Sequence, residues 1–134
     1  MNKHRSIICG IVWGLHLLAC SPRERQAPVA VELLPGSYCA SNDVSDSIFV
    51  YSNNTYKHTY HRSDGGVLTQ TNTWRYRADL NAIFFESFFF FHDLRRATPE
   101  NYRGAWSPKV IVGDNGTIKL RYSERIHYEK AVDK

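Results

Sequence analysis

Residues 67–77 read VLTQTNTWRYR, and after four more residues a second segment, AIFFESFFFF, fills residues 82–91. Along the first segment, Leu68, Trp74 and Tyr76 fall on one face of a strand, whereas threonines and arginines fall on the other. The second segment is too short for a membrane-spanning helix, which needs about 20 apolar residues. The two segments therefore predict neighbouring strands of a sheet, joined by a short turn.

The pairing of these two strands decides which phenylalanines are buried. If Trp74 lies beside Phe85, the inner face of the second strand carries Ile83, Phe85, Ser87, Phe89 and Phe91. The outer face then carries Phe84, Glu86, Phe88 and Phe90, and a shift of one residue would exchange the two faces. Exposed apolar patches often mark binding sites. The alternative is that residues 29–34 or the loop at residues 93–105 cover this patch.

After Pro35-Gly36, further short apolar and aromatic runs are separated by turn residues. The runs are residues 37–40, 47–52, 55–62, 109–112, 117–122 and 126–130. Asn53-Asn54 and Asp114-Asn115-Gly116 are typical of tight hairpin turns. The pattern predicts an all-β fold, an antiparallel meander of about seven or eight strands. Because open edges invite aggregation, we expect the meander to close as a small barrel or to pack as a sandwich.

Three short motifs carry a resemblance to small lipocalin-like barrels: Gly36-Ser37-Tyr38, Asn54-Thr55-Tyr56 and Asn72-Thr73-Trp74. The resemblance spans most of residues 34–130. Lipocalin relatives carry hydrophobic ligands in the barrel mouth, which implies a candidate cavity lined by Tyr56, Tyr60, Trp74, Phe85 and Phe89. The alternative is that these aromatic side chains fill a barrel of this size.

The N-terminus predicts where the protein is sent. Lys3 and Arg5 precede an apolar run of about a dozen residues, the layout of a secretory signal peptide; the alternative is a buried N-terminal helix. Leu17-Leu18-Ala19-Cys20 resembles the lipobox of bacterial lipoproteins, with Leu18 where that family usually has Ala or Ser. The resemblance implies removal of residues 1–19 and lipidation of Cys20, so that several acyl chains anchor the protein stably. Ser21 is similar to an outer-membrane sorting signal, which implies a domain facing the periplasm.

Residues 20–33 contain prolines and charges and no aromatic residue, which predicts a flexible tether before a β domain at residues 34–134. With Cys9 removed and Cys20 lipidated, Cys39 has no partner for an intramolecular disulfide. An unpaired cysteine of this kind commonly behaves as a small core residue.

Charge and motif content exclude several function classes. Without Lys3 and Arg5 the chain has 15 Lys and Arg against 13 Asp and Glu, spread along its length, so no nucleic-acid partner is predicted. His58 and His61 are three residues apart on a strand, which places them on opposite faces and excludes a metal pair. Glu86 has no second carboxylate or base that we can place beside it. We find no complete catalytic, cofactor or metal motif, and we predict no enzyme.

Two function classes remain. The first is a module that binds another envelope protein, as an inhibitor, immunity factor or assembly accessory, since aromatic and arginine residues are favoured at interfaces. Its candidate surface combines the outer phenylalanines with the loop and the tryptophan after it: Phe84, Phe88, Phe90, Arg95, Arg96, Tyr102, Arg103 and Trp106. The second is a carrier of a small hydrophobic ligand in the candidate cavity.

Overall fold

The computed structural model describes residues 26–90 and 103–132. A 3₁₀ helix, Val31–Leu33, precedes nine strands: β1 Gly36–Ala40, β2 Asp46–Val50, β3 Thr55–His61, β4 Val67–Arg77, β5 Ala82–Phe89, β6 Arg103–Trp106, β7 Val110–Val112, β8 Ile118–Arg121 and β9 His127–Lys130. All pairs are antiparallel, in the order β6-β5-β4-β3-β2-β1-β9-β8-β7. The prediction of an all-β antiparallel meander is confirmed.

The sheet curls into a half-barrel, and a short seam joins the start of β5 to the residues at the start of β7. Ala82 in β5 forms a bridge with Lys109, just before β7. The Ile83 N–H donates a hydrogen bond to the Pro108 carbonyl at 3.2 Å, and the Val110 N–H donates to the Asn81 carbonyl at 2.9 Å. The seam satisfies backbone groups that an open sheet edge would leave exposed.

The register of β4 and β5 agrees with the alternation of the sequence. Trp74 pairs with Phe85 and Tyr76 pairs with Ile83, as expected for the inner face. Along β4 every second residue is shielded, whereas the threonines and arginines between them are exposed. The hairpin turn after β2 also forms as predicted, with Asn54 at φ 65° in the left-handed region.

Strand β6 corrects one sequence-based prediction. Residues 93–105 were expected to form a loop, yet Arg103–Trp106 pairs with β5. A four-residue strand with a glycine and an arginine lacks an extended apolar alternation, so sequence pattern alone does not indicate it. What places it in the sheet is the pairing of Trp106 with Phe85, which buries the indole in the core.

Residues 26–34 contact the barrel through Gln26, Val29 and Leu34, although most of this segment is exposed. The Gln26 side chain donates a hydrogen bond to the Val112 carbonyl at 2.8 Å, and the Val29 N–H donates to the Tyr76 hydroxyl at 3.0 Å. Val29 and Leu34 are buried in the core. Their apolar side chains shield the interior at this end of the barrel, and the free energy of that burial holds the segment in place.

The barrel has two distinguishable ends. We call one of them the N-terminal end, because residues 26–35 enter the fold there. The same end contains the β2–β3, β4–β5 and β7–β8 turns and the last residue of β9. At the opposite end lie the β1–β2, β3–β4 and β8–β9 connections, the finish of β5 and the start of β6. The candidate residues are distributed between these ends.

Candidate binding surface

A β-bulge in β5 decides which phenylalanines face outward. Phe85 pairs with Trp106, yet the next pair on the same face is Phe88 with Gly104, so one extra residue lies between them. Ser87 has φ 51°, a left-handed conformation that a regular strand does not use. The extra residue reverses the alternation of all later side chains in β5.

The bulge makes three predicted orientations wrong. Phe88 is fully buried, and its ring stacks on His58 with centroids 4.3 Å apart. Phe90 is half-buried and contacts Phe88 edge-on, so both belong to the inner face rather than to the candidate partner surface. Phe89, a candidate cavity residue, instead pairs with Arg103 on the outer face, where its ring is buried beneath the Arg103 guanidinium. Phe84 and Glu86 precede the bulge and lie on the outer face as predicted.

The remaining candidates for the partner surface are divided between core and surface. Trp106 is buried, with its ring stacked on Phe85 at 5.4 Å. Arg103 is exposed. Arg95, Arg96 and Tyr102 lie outside the described residues, as do Phe91 and the predicted lipidation site Cys20.

The candidate cavity residues Tyr56, Trp74 and Phe85 are packed together in the core. Tyr56 and Phe85 contact each other edge-on at 4.9 Å. The Tyr56 hydroxyl donates to the Glu86 carbonyl at 2.7 Å, and the Trp74 indole N–H donates to the Tyr51 carbonyl at 2.9 Å. These polar groups are satisfied by the protein's own backbone, and the rings fill space that a ligand would need. Tyr60 is only half-buried, towards the opposite end.

Two arginine–phenylalanine pairs occupy the outer face of β4, β5 and β6. The Arg75 guanidinium lies 5.2 Å from the centre of the Phe84 ring, and that of Arg103 lies 4.5 Å from the centre of the Phe89 ring. Both arginines are exposed. Along β5 the two pairs are about 15 Å apart. We call this set, Arg75, Phe84, Phe89 and Arg103, the arginine–phenylalanine surface.

Glu86 lies between the two pairs and is the acidic group of this surface. Its carboxylate is 3.6 Å from the Arg75 guanidinium, and both side chains are largely solvated, so the ion pair contributes little to stability. Burial raises the pKa of Tyr56; the charge of Glu86 adds to this rise and that of Arg103 opposes it. The charges of Glu86 and Arg103 therefore both act at the Tyr56 hydroxyl, just beneath the surface.

A buried polar cluster inside the barrel was not predicted from the sequence. Asp46 and His58 are fully buried, with the His58 Nε2 atom 2.6 Å from Asp46 Oδ1. The Tyr128 hydroxyl donates to Asp46 Oδ2 at 2.6 Å, and burial, followed by the charge of Asp46, raises the pKa of Tyr128. Asp46 is in phase with the buried Ile48 and Val50, which is the signal that could have placed it inside. Among the described residues the cluster is shielded from solvent, and the Phe88 ring stacks on His58 while the Tyr128 ring contacts it edge-on.

Three further features of the described part of the chain concern metal binding, the free cysteine and membrane-spanning helices. Within residues 26–90 and 103–132, no group of three or more His, Cys, Asp or Glu side chains could hold a metal ion. Cys39 is half-buried, less shielded than a core residue. Among the same residues there is no helix with the length and apolar character needed to cross a bilayer. Comparisons of the chain with family models, curated proteins and solved structures found no match.

Proposed function

We propose that this chain is a lipid-anchored envelope lipoprotein whose β domain binds another protein through the arginine–phenylalanine surface. The anchor rests on the signal-like N-terminus and the lipobox resemblance around Cys20. The binding role rests on one structural observation, the two exposed guanidinium groups held over phenylalanine rings. In this arrangement the domain acts at the bacterial outer membrane, facing the periplasm.

The chemistry of the surface defines the partner. A guanidinium over a ring has its apolar face covered, while its N–H donors remain directed outward in the plane of the group. Those donors match the two oxygens of a carboxylate, and such bidentate pairs are stronger than neutral hydrogen bonds. Arginine and aromatic residues are also enriched where protein interfaces concentrate their binding energy. The expected partner is an envelope protein that presents carboxylates about 15 Å apart.

The packing of the interior favours this function over a ligand carrier. Three of the five candidate cavity residues, Tyr56, Trp74 and Phe85, are buried in one cluster, and Phe89 faces outward. A carrier would need these rings to move apart, at the cost of core contacts and hydrogen bonds. An apolar ligand bound by the purified protein, with a change in Trp74 fluorescence, would instead support the carrier.

Charge reversal tests the binding role. The variant Arg75→Glu/Arg103→Glu removes both guanidinium groups, and Arg121→Glu makes one charge reversal of the same kind on β8, away from the surface. We expect the native chain and Arg121→Glu to capture the same protein from solubilised envelopes, and the double variant to lose it. Circular dichroism should show an unchanged fold, because exposed cation–π pairs are worth only about 0.5–1 kcal/mol each. Equal capture by all three proteins would refute the proposal.

Mass spectrometry tests the anchor. The mature chain should begin at Cys20 and carry the mass of the added acyl chains, whereas Cys20→Ser should leave an unprocessed or unlipidated precursor. Unchanged processing and membrane retention of Cys20→Ser would show that the anchor is wrong.

A further inference from the structure

Of the eight large apolar side chains that are exposed among the described residues, five lie at the N-terminal end of the barrel, whereas Val44 and Val67 lie at the opposite end and Phe49 lies on β2. In the described residues, Val31 and Leu33 lie on the 3₁₀ helix, Tyr51 and Leu80 lie in the β2–β3 and β4–β5 turns, and Val132 follows β9. Leu33 and Val132 are 56% and 78% exposed, and they line one open cleft of about 260 Å³. Clustered exposed apolar groups of this kind indicate a contact with something other than water.

A lysine accompanies each of the two exposed leucines at this end. The Lys130 ammonium donates to the Leu33 carbonyl at 2.6 Å, and the Lys109 ammonium donates to the Leu80 carbonyl at 2.6 Å. The backbone of each exposed leucine thus holds a cation at its carbonyl. An apolar group beside an ammonium suits the boundary of an anionic bilayer, where acyl chains and phosphate groups are close together.

Chain length brings this end close to a membrane. Gln26 is fixed at Val112, next to Ile118 in the β7–β8 hairpin, and Cys20 is six residues earlier in the sequence. Six residues span at most about 20 Å even when fully extended. A lipid on Cys20 would therefore keep the N-terminal end within about 20 Å of the bilayer surface.

We propose that the N-terminal end of the barrel is a second membrane contact: Leu33, Leu80 and Val132 enter the headgroup region, and Lys109 and Lys130 meet lipid phosphates. The inference rests on the proposed lipidation of Cys20 and goes beyond it, because an anchor alone would leave the domain free to rotate. The contact fixes the orientation of the barrel, with its opposite end directed into the periplasm.

Fluorescence quenching in lipid vesicles tests this contact. The full chain is produced in a bacterium with Cys39→Ser, and a single new cysteine is labelled with an environment-sensitive dye at Leu33→Cys or at Val67→Cys. Val67 is the matched control, since it is 53% exposed but lies at the opposite end. Both proteins are reconstituted into phosphatidylethanolamine and phosphatidylglycerol vesicles that contain a lipid with a nitroxide near its headgroup. The mass of the N-terminal peptide is measured on the same samples.

The two readouts separate the inference from the proposed function. Acylated protein that loses most of its emission at position 33 and keeps it at position 67 supports the membrane contact. Acylated protein with equal, weak quenching at both positions retains the anchor and overturns the contact. If the peptide carries no acyl chains, the anchor itself is wrong and the contact falls with it. Leu80→Cys provides a second position at the same end and should behave as position 33 does.

Discussion

Replacing Phe88 by alanine tests the bulge in β5 most directly, because the bulge alone moves this side chain from the surface to the core. Phe88 is fully buried and contacts His58, Trp106, Phe85 and Tyr128. Truncating a buried phenylalanine to alanine costs about 3–5 kcal/mol, since transfer free energy is lost and a cavity remains. A small domain has only about 5–15 kcal/mol of stability in total. We expect Phe88→Ala to lose about 4 kcal/mol.

Phe84→Ala is the matched control on the same strand. Phe84 is half-buried on the outer face, beneath the Arg75 guanidinium. Its removal takes away one exposed cation–π contact and a partly covered ring, and we expect a loss of about 1 kcal/mol. The two variants remove the same atoms from positions four residues apart, so the comparison reports burial rather than composition.

Equilibrium unfolding in urea, followed by tryptophan fluorescence, measures both losses. With a slope of about 2 kcal/mol per M, Phe88→Ala should lower the unfolding midpoint by about 2 M and Phe84→Ala by about 0.5 M. If Phe88→Ala does not fold, Phe88→Leu keeps most of the apolar volume and should cost about 1.5 kcal/mol. Equal losses at the two positions, or a larger loss at Phe84, would refute the inward orientation of Phe88.

Three further predictions concern the interior and the bulge. Burial raises the pKa of Tyr38, Tyr56 and Tyr128, so above pH 10 the unfolded chain loses protons that the folded chain keeps. The contribution of these tyrosines to stability should be constant below pH 10 and should then fall by about 1.4 kcal/mol per pH unit for each of them. Unfolding midpoints that do not change between pH 10 and 11 would contradict this. Because Ser87 has a positive φ, Ser87→Gly should leave stability unchanged or raise it by up to about 1 kcal/mol, whereas Ser87→Val should lower it by about 1–3 kcal/mol. Thermal melts showing the same midpoint for both variants would count against the strained conformation. Asp46→Ala removes the acceptor of both His58 and Tyr128 and should cost about 3 kcal/mol in urea unfolding; a loss below about 1 kcal/mol would mean that the cluster contributes little.

The parts of the fold with a regular period were predictable from sequence. Residues 67–77 alternate without interruption, so the bounds of β4 followed from the pattern. The pattern left two registers with β5 open, and the structure has the one in which Trp74 pairs with Phe85. The half-barrel follows from the number of strands together with the need to cover sheet edges.

The bulge was not predictable, because its signal is absent where every neighbour is apolar. A bulge becomes visible in sequence when a polar residue falls out of phase, yet residues 88–91 are all phenylalanine and permit either phase. The conformation of Ser87 and the pairing with β6 decide between the two phases, and both are properties of the folded sheet. The candidate surface and cavity consequently exchanged Phe88 and Phe89.

The N-terminal segment shows a second limit of composition-based reasoning. Residues 26–34 contain a proline, a glutamate and mostly small apolar residues, which resembles a linker. Whether such a segment folds depends on the presence of an uncovered apolar opening next to it, and the barrel end supplies one for Val29 and Leu34. The local sequence gives only the composition of the segment, and the opening exists only in the folded barrel. The contact between them therefore cannot be predicted from the segment alone.

If the N-terminal end contacts the bilayer as proposed, the two arginine–phenylalanine pairs lie at different heights above the membrane, and this difference can be measured. β5 begins at the N-terminal end with Ala82 and finishes at the opposite end with Phe89, so Arg75, opposite Phe84, lies closer to the proposed lipid contact than Arg103 does. The rise along the tilted strand between the two pairs amounts to about 10–15 Å. On the membrane-bound protein, a partner arriving from the periplasm would meet Arg103 first, and Arg103→Glu should weaken capture more than Arg75→Glu. In detergent, where no bilayer fixes the orientation of the barrel, the difference in capture between Arg103→Glu and Arg75→Glu should become smaller. Equal effects of the two variants on the membrane would leave protein binding intact as a function and would argue against a fixed orientation of the barrel.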